Sequence, residues 1–364
     1  MTQHRSIWTT SAPGTALAVT ALVVLVLVVV RTVLRRRAGL PPRLWRATAA
    51  LAAALALSLL ATAAYVNAYA GYLPTTGSLE QAIGLPVTDQ GGSGSGLVSE
   101  VDVPAAALGV PQGRTFIYTP PGYRAGAGVR YPTLYLIHGS PGRAEDWFNA
   151  GGAAQVLDRL ISAGVIPPLI VVAPSANAGF FGDTECLNAV GGRQLETYLT
   201  SSVVHFVDSH YPTKPGWSNR SIGGMSSGGF CALNLGLRHQ ALFGSVLAFE
   251  PYGDPGVVAL GTLLHGNRTL YAANSPRSYL PGLRFQHPMQ FFVNVGGASG
   301  HGVSTVRALA QQLRRRGQRT DFRVEPGQSH TWTEAAAGLP YALAFTFSLV
   351  HPPSPRVGPM VRHA

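Results

Sequence analysis

The first 72 residues contain neither aspartate nor glutamate, and charged residues make up only 12% of the 364-residue chain. Ordinary soluble proteins have about 25% charged residues. Seven arginines give this first segment a charge of +7, out of a formal net charge of +11 for the chain. The remainder is nearly balanced, with 20 basic and 16 acidic side chains. The high net charge is therefore local to the N-terminus, and it does not indicate a nucleic-acid-binding surface.

Cysteine is also scarce, since Cys186 and Cys231 are the only two in the chain. No spacing of cysteine and histidine is typical of a zinc site, and we expect neither a metal nor a cofactor. In an exported domain these two cysteines could form one disulfide, whereas two buried thiols are the alternative. The sequence alone leaves both states open.

Two long apolar runs dominate the first segment. Residues 15–34 and 47–72 are each long enough to cross a bilayer, which takes about 20 apolar residues. Tyrosines near the end of the second run are typical of the interface between membrane and water. We therefore predict that residues 1–72 form a membrane anchor of two transmembrane helices. A signal peptide is the alternative for the first run, but a second apolar run follows it.

The connection between the two runs, RTVLRRRAGLPPRLWR, contains six arginines. The positive-inside rule predicts that this connection is cytoplasmic and that both termini lie outside. Residues 73–96, which include GGSGSG, are predicted to form a flexible linker. Residues 97–352 are predicted to form the folded domain, and 353–364 a C-terminal tail. The predicted location is the cell membrane, multi-pass, with the folded domain extracytoplasmic.

From residue 97 onward, β-rich runs alternate with helical patterns. The β-rich runs are 114–118, 133–138, 169–174, 220–224, 245–249, 289–295 and 321–325, and the helical patterns lie near 145–163, 192–209, 227–238, 302–316 and 332–349. Several β-rich runs are continuously apolar, as parallel strands covered on both faces are. The alternation predicts an α/β fold with a doubly wound, mostly parallel sheet.

The strongest local motif is GMSSG at 224–228, which matches G-x-S-x-G. It lies between a β-rich run and a helical pattern, which is the context of the nucleophile elbow in α/β hydrolases. The glycines permit a tight turn that exposes the serine hydroxyl, and the following helix N-terminus favours a developing oxyanion. We predict that Ser226 is the nucleophile. Ser227 is the rival, but no glycine lies two residues before it.

Two other loops carry candidate residues. The loop HGSPGR follows the run 133–138, and in α/β hydrolases this loop donates a backbone N–H to the oxyanion. We assign that donor to Ser140 and the second donor to Ser227, with His138 as a structural residue. His330 follows the run 321–325 and is the predicted base, because the chain order is serine, acid, histidine. His301 remains an alternative base.

Four segments resemble the esterase D family of α/β hydrolases, which includes the secreted mycolyltransferases of actinobacteria. The segments are HGSPGRAEDW, RQLETYLTSSVVHFVDSHY, GGMSSGGFCALNLGLRH and GQSHTWTEAAAGLPYAL. The resemblance covers roughly residues 99–350 and implies Ser226 as nucleophile, His330 as base, and Ser140 with Ser227 as oxyanion donors. It also implies acyl-ester chemistry without metal or cofactor. The paired apolar runs followed by VNAYAGYLPTTGSL resemble membrane-anchored actinobacterial members.

The resemblance fails at the position of the acid. In the family the acid follows the strand that reads MQFFVNV in this chain, but residues 296–301 contain no carboxylate. His330 still needs a partner that orients it and stabilises its charged form. Glu250 is the leading candidate, because it ends the preceding strand at the same edge of the sheet. Asp254 and Glu325 are alternatives, and so is a site without an acid.

These features predict an extracytoplasmic serine esterase or acyltransferase that works through an acyl-enzyme. The expected substrate is an acyl ester of the cell envelope, such as a lipid, a glycolipid or an aminoacyl-lipid. Water and a hydroxyl acceptor both remain open. The expected partners are this substrate and the lipid bilayer, without nucleic acid. The alternative is a non-catalytic envelope-associated domain on a hydrolase scaffold, which the missing acid supports. A transporter is disfavoured, because two spans leave no polar pathway through the membrane.

Two further segments could contribute to the site. Residues 251–288 form a long connection, and connections of this length are often lids or substrate walls. Asp183, Glu185 and Cys186 follow the run 169–174 at the same edge of the sheet. They could line the acceptor site or hold their loop, and we expect the second role for Cys186.

Overall fold

The computed structural model describes residues 11–41, 44–71, 94–126, 128–177, 179 and 182–349. The predicted C-terminal tail lies outside these residues, as does the predicted linker except for its last three positions. The strands are β1 (Leu97–Asp102), β2 (Arg114–Thr119), β3 (Thr133–Ile137), β4 (Ile170–Pro174), β5 (Arg220–Met225), β6 (Ser245–Phe249), β7 (Gln290–Gly296) and β8 (Arg319–Glu325).

Helices connect these strands and precede them. They are α1 (Ala12–Arg37), α2 (Leu44–Ala70), α3 (Asp146–Asn149), α4 (Ala153–Ser162), α5 (the continuous stretch of Leu195–Thr197, Tyr198–Val203 and Val204–His210), α6 (Ser227–Arg238), α7 (Gly256–Thr262), α8 (Arg268–Ala273), α9 (Pro276–Tyr279), α10 (His301–Arg315) and α11 (Trp332–Phe347). The middle segment of α5 is a π-helical turn.

The eight strands form one sheet in the order β1-β2-β4-β3-β5-β6-β7-β8. The strand β2 runs antiparallel to β1 and to β4, and all the other neighbouring pairs are parallel. The prediction of a doubly wound, mostly parallel sheet is confirmed. The sequence did not predict β1, LVSEVD, because this edge strand is only partly buried and has neither a continuous apolar run nor a strict alternation of polar and apolar residues. The carboxyl ends of the parallel strands meet at one edge, where ligands bind in open α/β sheets.

Helices cover both faces of the sheet. One core includes buried side chains of α5, α6 and α10, and the other includes those of α3, α4 and α11. In the second core the rings of Trp147 and Trp332 meet edge to face, with 5.1 Å between their centroids. The indole N–H of Trp147 donates to the carbonyl oxygen of Ile137 at 2.8 Å. These contacts fix the start of α11 beside the carboxyl end of β3.

The two N-terminal helices form an antiparallel pair that is longer than the predicted runs. Thr15 on α1 and Tyr65 on α2 share a hydrogen bond of 2.9 Å between their hydroxyl groups. Both helices are long and apolar enough to cross a membrane, and most of their side chains are exposed.

The end of α2 contacts the other part of the structure. Gly71 follows α2 with φ of +70°, and a Cβ at this position would lie 3.3 Å from the backbone nitrogen of Thr333 and 3.5 Å from that of Trp332. These two residues begin α11. The chain therefore leaves α2 directly beside the first turn of α11.

The long connection 251–288 contains three short helices, α7 to α9. Asp254 stabilises this segment, because its carboxylate accepts a hydrogen bond from the Tyr271 hydroxyl at 2.8 Å and lies 3.1 Å from Nη2 of Arg277. On the inner side, Ala259 packs with Leu187 in a small buried cluster. The segment therefore lies over the loop that follows β4.

Candidate active site

Ser226 lies in a strained turn between β5 and α6. Its φ is +59°, which is uncommon for residues other than glycine and costs about 1–3 kcal/mol. A Cβ at Gly224 would lie 2.1 Å from the Gly228 carbonyl oxygen, and a Cβ at Gly228 would lie 2.2 Å from that of Ile137. Neither position can carry a side chain without displacing backbone. Both glycines of the G-x-S-x-G motif are therefore needed to form this turn.

His330 lies in the loop between β8 and α11. The Ser226 hydroxyl donates to Nε2 of His330, with 2.7 Å between the two heavy atoms. The His330 side chain is 41% exposed, so one side of the ring remains open. The residue that follows, Thr331, is the N-cap of α11, and this cap fixes the point at which the loop ends. The structure thus brings the predicted nucleophile and base into direct contact, 104 positions apart in sequence.

Glu250 lies on the other side of the His330 ring. Its Oε2 is 3.4 Å from Nδ1 of His330, and its side chain is only 3% exposed. Its other oxygen, Oε1, accepts hydrogen bonds from the backbone N–H of Gly296 at 2.8 Å and from the Ser299 hydroxyl at 2.6 Å. Burial acts to raise the pKa of Glu250, but the hydrogen bonds from His330, Ser299 and Gly296 outweigh it, and the pKa is lowered. The carboxylate is therefore ionised and faces the imidazole.

The loop after β7, which lacks a carboxylate, supplies the donors that hold Glu250. Gly296 is the last residue of β7 and Ser299 lies in the loop, where Ala298 N donates to the carbonyl oxygen of Gln328 at 2.7 Å. Glu250 itself adopts φ of +50°, which turns its side chain across the end of β7. The carboxylate thus reaches the histidine loop from the neighbouring strand.

The other two candidate acids lie elsewhere. Asp254 is engaged with α8 and α9. Glu325 forms an ion pair with Arg323 on the same strand. His301, the alternative base, begins α10, whereas the serine contact is made by His330.

The loop after β3 lies against the serine. A Cβ at Gly139 would lie 3.5 Å from Cβ of Ser226. His138 is fully buried, and its Nδ1 and Nε2 contact the Gly139 carbonyl oxygen at 2.8 Å and the Ala176 N–H at 3.0 Å. Burial lowers the pKa of His138 to about 4, so this ring is neutral. A neutral ring with Nδ1 protonated satisfies both contacts, and His138 ties the loops after β3 and β4 together.

The backbone N–H groups of Ser140 and Ser227 are among those near Ser226 that have no acceptor within the described residues. Ser227 is the first residue of α6, where helix N–H groups have no intrahelical partner. Ser140 follows Gly139 in the loop that contacts Ser226. These N–H groups are the ones that the sequence predicted as oxyanion donors.

Cys186 and Cys231 form a disulfide, with 5.6 Å between their Cα atoms. The sequence left this pairing open. Cys231 lies in the second turn of α6, five residues after Ser226. The bond therefore attaches the loop after β4 to the helix that follows the serine.

A carboxyl that the sequence did not assign lies in the same loop. Both oxygens of Glu185 are contacted by the Tyr252 hydroxyl, at 2.8 and 2.7 Å. Burial, and then the charge of Asp183, raise the pKa of Glu185 to about 9. The Tyr252 ring stacks on that of Phe230, with 5.2 Å between centroids. The sequence carries no signal for this contact, since Glu185 and Tyr252 are 67 positions apart and match no motif.

Among the described residues, no group of three or more histidine, cysteine, aspartate or glutamate side chains is arranged to hold a metal ion. The side chains brought together around Ser226 are a hydroxyl, an imidazole and a carboxylate, with two free N–H groups beside them. This set can perform nucleophilic acyl transfer.

Curated proteins similar to this chain include bacterial esterases. An uncharacterised protein of Corynebacterium glutamicum is 29% identical over 174 residues, which are 45% of this chain and 39% of that protein. An endo-1,4-beta-xylanase/feruloyl esterase of Xylanibacter ruminicola is 33% identical over 35% of this chain and 18% of its own length. An esterase of Mycobacterium tuberculosis is 28% identical over 35% of this chain and 27% of its own. The matches thus span less than half of these relatives.

Solved structures share the fold. A ferulic acid esterase superposes with a TM-score of 0.61 at 23% identity, over 70% of this chain and 98% of that one. An S-formylglutathione hydrolase from Agrobacterium tumefaciens gives 0.60 at 18% identity, over 71% and 97%. These likenesses establish the α/β-hydrolase fold. The sequence model of the Esterase family matches residues 112–343, which include Ser226, His330 and the strands β2 to β8. The chain therefore belongs to the Esterase family.

Proposed function

We propose that this protein is a serine esterase or acyltransferase that acts on an acyl ester of the cell envelope. The observation that carries the proposal is the continuous contact from the Ser226 hydroxyl to His330 and from His330 to Glu250. In this role Ser226 is the nucleophile, His330 the general base, and Glu250 the acid of the triad.

Acylation begins when the Ser226 oxygen attacks the carbonyl carbon of the ester. His330 takes the hydroxyl proton at Nε2, and the carbonyl oxygen becomes an oxyanion that accepts from the N–H groups of Ser140 and Ser227. The C–O bond to the alcohol then breaks, and His330 returns the proton to the leaving oxygen. The acyl group remains on Ser226 as an ester.

Deacylation repeats these steps with a second hydroxyl compound. Water, or the hydroxyl group of an acceptor, loses a proton to His330 and attacks the acyl-enzyme, which releases an acid or a new ester. In both halves Glu250 stabilises the positively charged imidazole and keeps Nδ1 protonated. The lowered pKa of Glu250 suits this role, because the carboxylate stays charged at neutral pH.

Three observations support a site on the outer side of a membrane. The helices α1 and α2 have the length and composition of transmembrane spans. Six arginines between them favour a cytoplasmic connection. The disulfide between Cys186 and Cys231 fits an oxidising compartment, because cytosolic thiols are kept reduced.

The contact at Gly71 supports a lipid-borne substrate. Gly71 follows the last residue of α2 and packs against Trp332 and Thr333, which follow His330 by two and three positions. A bilayer that surrounds α2 would therefore lie next to the histidine loop. An ester at the membrane surface would reach Ser226 without leaving the bilayer interface.

The segment that carries α7 supports the same substrate class. Val257 and Val258 are adjacent on α7 and are 80% and 74% exposed. Residues 251–288 contain three arginines and one acid, so this segment is also basic. Exposed apolar residues with nearby positive charge are typical of surfaces that contact anionic lipid. We therefore propose a lipid, glycolipid or aminoacyl-lipid ester as the substrate.

A non-catalytic envelope domain is the alternative function. Its support is the missing carboxylate after β7. Glu250 supplies a carboxylate beside Nδ1 of His330, the ring nitrogen that does not contact Ser226. This arrangement favours the enzyme.

The proposal is tested with a fluorophosphonate probe on membranes that contain the full chain. Wild-type protein should be labelled and should cleave a p-nitrophenyl acyl ester. Ser226→Ala should lose both properties, with a residual rate at least about 10³-fold lower. Ser227→Ala is the matched control, and it should still be labelled because its contribution is a backbone N–H. Full labelling of Ser226→Ala would exclude Ser226 as the nucleophile.

A further inference from the structure

A second buried acid lies beneath the Glu250 turn. Glu334 is fully buried in the first turn of α11, and Nδ2 of Asn294 donates to its Oε1 at 2.5 Å. Asn294 is also fully buried, in β7. Thr331 and Glu334 have the T-x-x-E spacing of a capping box, in which the glutamate would bond back to the start of the helix. This glutamate points into the sheet instead.

Each partner in this contact has one atom without a hydrogen bond in the described chain, Oδ1 of Asn294 and Oε2 of Glu334. Leaving a buried polar atom unpaired costs about 1–3 kcal/mol. A protonated carboxyl pairs both atoms, because its O–H donates to the amide oxygen while its carbonyl oxygen accepts from the amide N–H. An ionised carboxyl has no hydrogen to donate and would place two acceptors together.

The surroundings of Glu334 also favour the protonated form. Burial, followed by the charges of Glu250 and Glu325, holds the pKa of Glu334 well above its ordinary value. Arg323, the nearby cation, is paired with Glu325. An ionised Glu334 would therefore be a third buried carboxylate beside two others.

Asn294 connects this pair to the triad. Its backbone carbonyl oxygen accepts a hydrogen bond from the N–H of Glu250 at 2.9 Å. On the opposite side, Gly338 of α11 packs closely on the Asn294 amide, since a Cβ there would lie 2.1 Å from Nδ2. Asn294 is thus held between α11 and the turn that carries Glu250. A shift of the amide would move the backbone on which Glu250 depends.

We propose that Glu334 is a positioning residue, held as a neutral acid in a pair of hydrogen bonds with Asn294 that fixes the Glu250 turn against His330. The inference rests on the proposed roles of Ser226, His330 and Glu250. Glu334 acts through Asn294 and the backbone of Glu250.

The experiment compares variants of the full chain in detergent, with kcat, KM and unfolding temperature measured for each. Glu334→Gln should keep kcat within about threefold, because an amide can form the same pair of hydrogen bonds as a neutral acid. Glu334→Ala leaves the Asn294 amide unpaired and free to shift. It should lower kcat at least about tenfold with little change in KM, because small misplacements of catalytic groups are costly.

Reversal of the pair gives a sharper test. Asn294→Asp alone should lower kcat at least about tenfold, because it places another acid beside Glu250 and Glu334. Adding Glu334→Gln restores one acid and one amide in exchanged positions, and we expect most of the lost kcat to return. Leu339→Ala, in the same helix and equally buried, is the control. It should lower the unfolding temperature without changing kcat while folded.

Infrared spectroscopy tests the protonation state independently of activity. At neutral pH the wild type should show a carboxylic acid C=O band that Glu334→Gln lacks. Absence of this band, or a loss of kcat in Glu334→Gln as large as in Glu334→Ala, would overturn the neutral pair. Normal kcat in Glu334→Ala would overturn the positioning role. Failure of the proposed function has a different signature, which is labelling by fluorophosphonate that does not depend on Ser226.

Discussion

At the scale of single residues, the site combines strained backbone with buried charge. Ser226 and Glu250 both have positive φ, and neither is a glycine. Such conformations persist only where the surrounding structure holds them. For Ser226 the two glycines of the elbow remove the steric obstacles. For Glu250 the hydrogen bonds from Gly296 and Ser299 orient the carboxylate toward the histidine.

We predict that Glu250→Gln lowers kcat at least about 10²-fold with little loss of stability, because glutamine keeps the size but removes the charge that stabilises the imidazolium. The pKa of Glu250 is lowered, so its carboxylate is ionised from mildly acidic pH upward. The loss should therefore be similar at about pH 6 and at about pH 9. Steady-state kinetics on a soluble ester measure it.

Matched substitutions at the other two candidate acids serve as controls for Glu250. Asp254→Asn should have a smaller effect, since it loosens only the connection 251–288, and Glu325→Gln the smallest. Equal rates for wild type and Glu250→Gln would mean that the histidine works without this acid.

Sequence reasoning reached Ser226 and His330 because each lies in a motif with a fixed place in the fold. Glu250 belongs to no motif, and only the sheet order suggested that it could reach the histidine loop. The contact between Glu185 and Tyr252, and the pair of Glu334 with Asn294, could not be predicted. They depend on which side chains meet across loops and layers, and no local periodicity encodes that.

At the scale of elements, the parallel strands could be predicted from the sequence, whereas the edge strand β1 could not. Largely apolar runs identify β3, β4, β6 and β7, because helices cover both faces of these strands, and the G-x-S-x-G motif that follows β5 marks that strand. The partly exposed β1 has no comparable signal. For the connection 251–288 the sequence suggests a lid or substrate wall from length alone, whereas its three short helices depend on tertiary contacts such as that of Asp254 with Tyr271.

The disulfide links two of these elements, the loop after β4 and helix α6. It closes a loop of 45 residues, and removing such a link should cost about 4 kcal/mol through the greater entropy of the unfolded chain. We predict that replacing Cys186 and Cys231 together by serine lowers the unfolding free energy by about 2–5 kcal/mol. Denaturant unfolding of the full chain in detergent measures this change.

Reductant provides the control for the disulfide. It should destabilise the wild type to the level of the double variant and leave the double variant unchanged. Mass spectrometry that finds both thiols free in protein from the native membrane, together with no effect of reductant, would contradict this prediction.

At the scale of the whole molecule, the two apolar helices and the hydrolase domain meet at one point. The end of α2 lies against the start of α11, which follows His330. Helix α7 begins six residues after Glu250 and carries the exposed Val257 and Val258. The start of α11 and helix α7 both lie near the carboxyl ends of β5, β6 and β8, the strands after which Ser226, Glu250 and His330 follow. We infer that one surface of the molecule faces the bilayer and contains the entrance to the site.

We predict that Val257→Ser combined with Val258→Ser lowers activity on a membrane-borne ester while sparing activity on a soluble one. Each valine that inserts at the lipid interface contributes on the order of 1 kcal/mol, so the double variant should lose about tenfold or more on the membrane-borne ester. Hydrolysis of a short-chain p-nitrophenyl ester should stay within about twofold, because Ser226, His330 and Glu250 are untouched. The rate on the membrane-borne ester is measured with protein reconstituted in phosphatidylglycerol vesicles that contain a fluorogenic acyl lipid.

Val129→Ser is the matched control, because Val129 is 51% exposed but lies before the amino end of β3, at the opposite edge of the sheet. If Val129→Ser loses as much activity on the membrane-borne ester as the double variant does, α7 does not contact the bilayer. The same conclusion follows if the double variant loses equal activity on both esters.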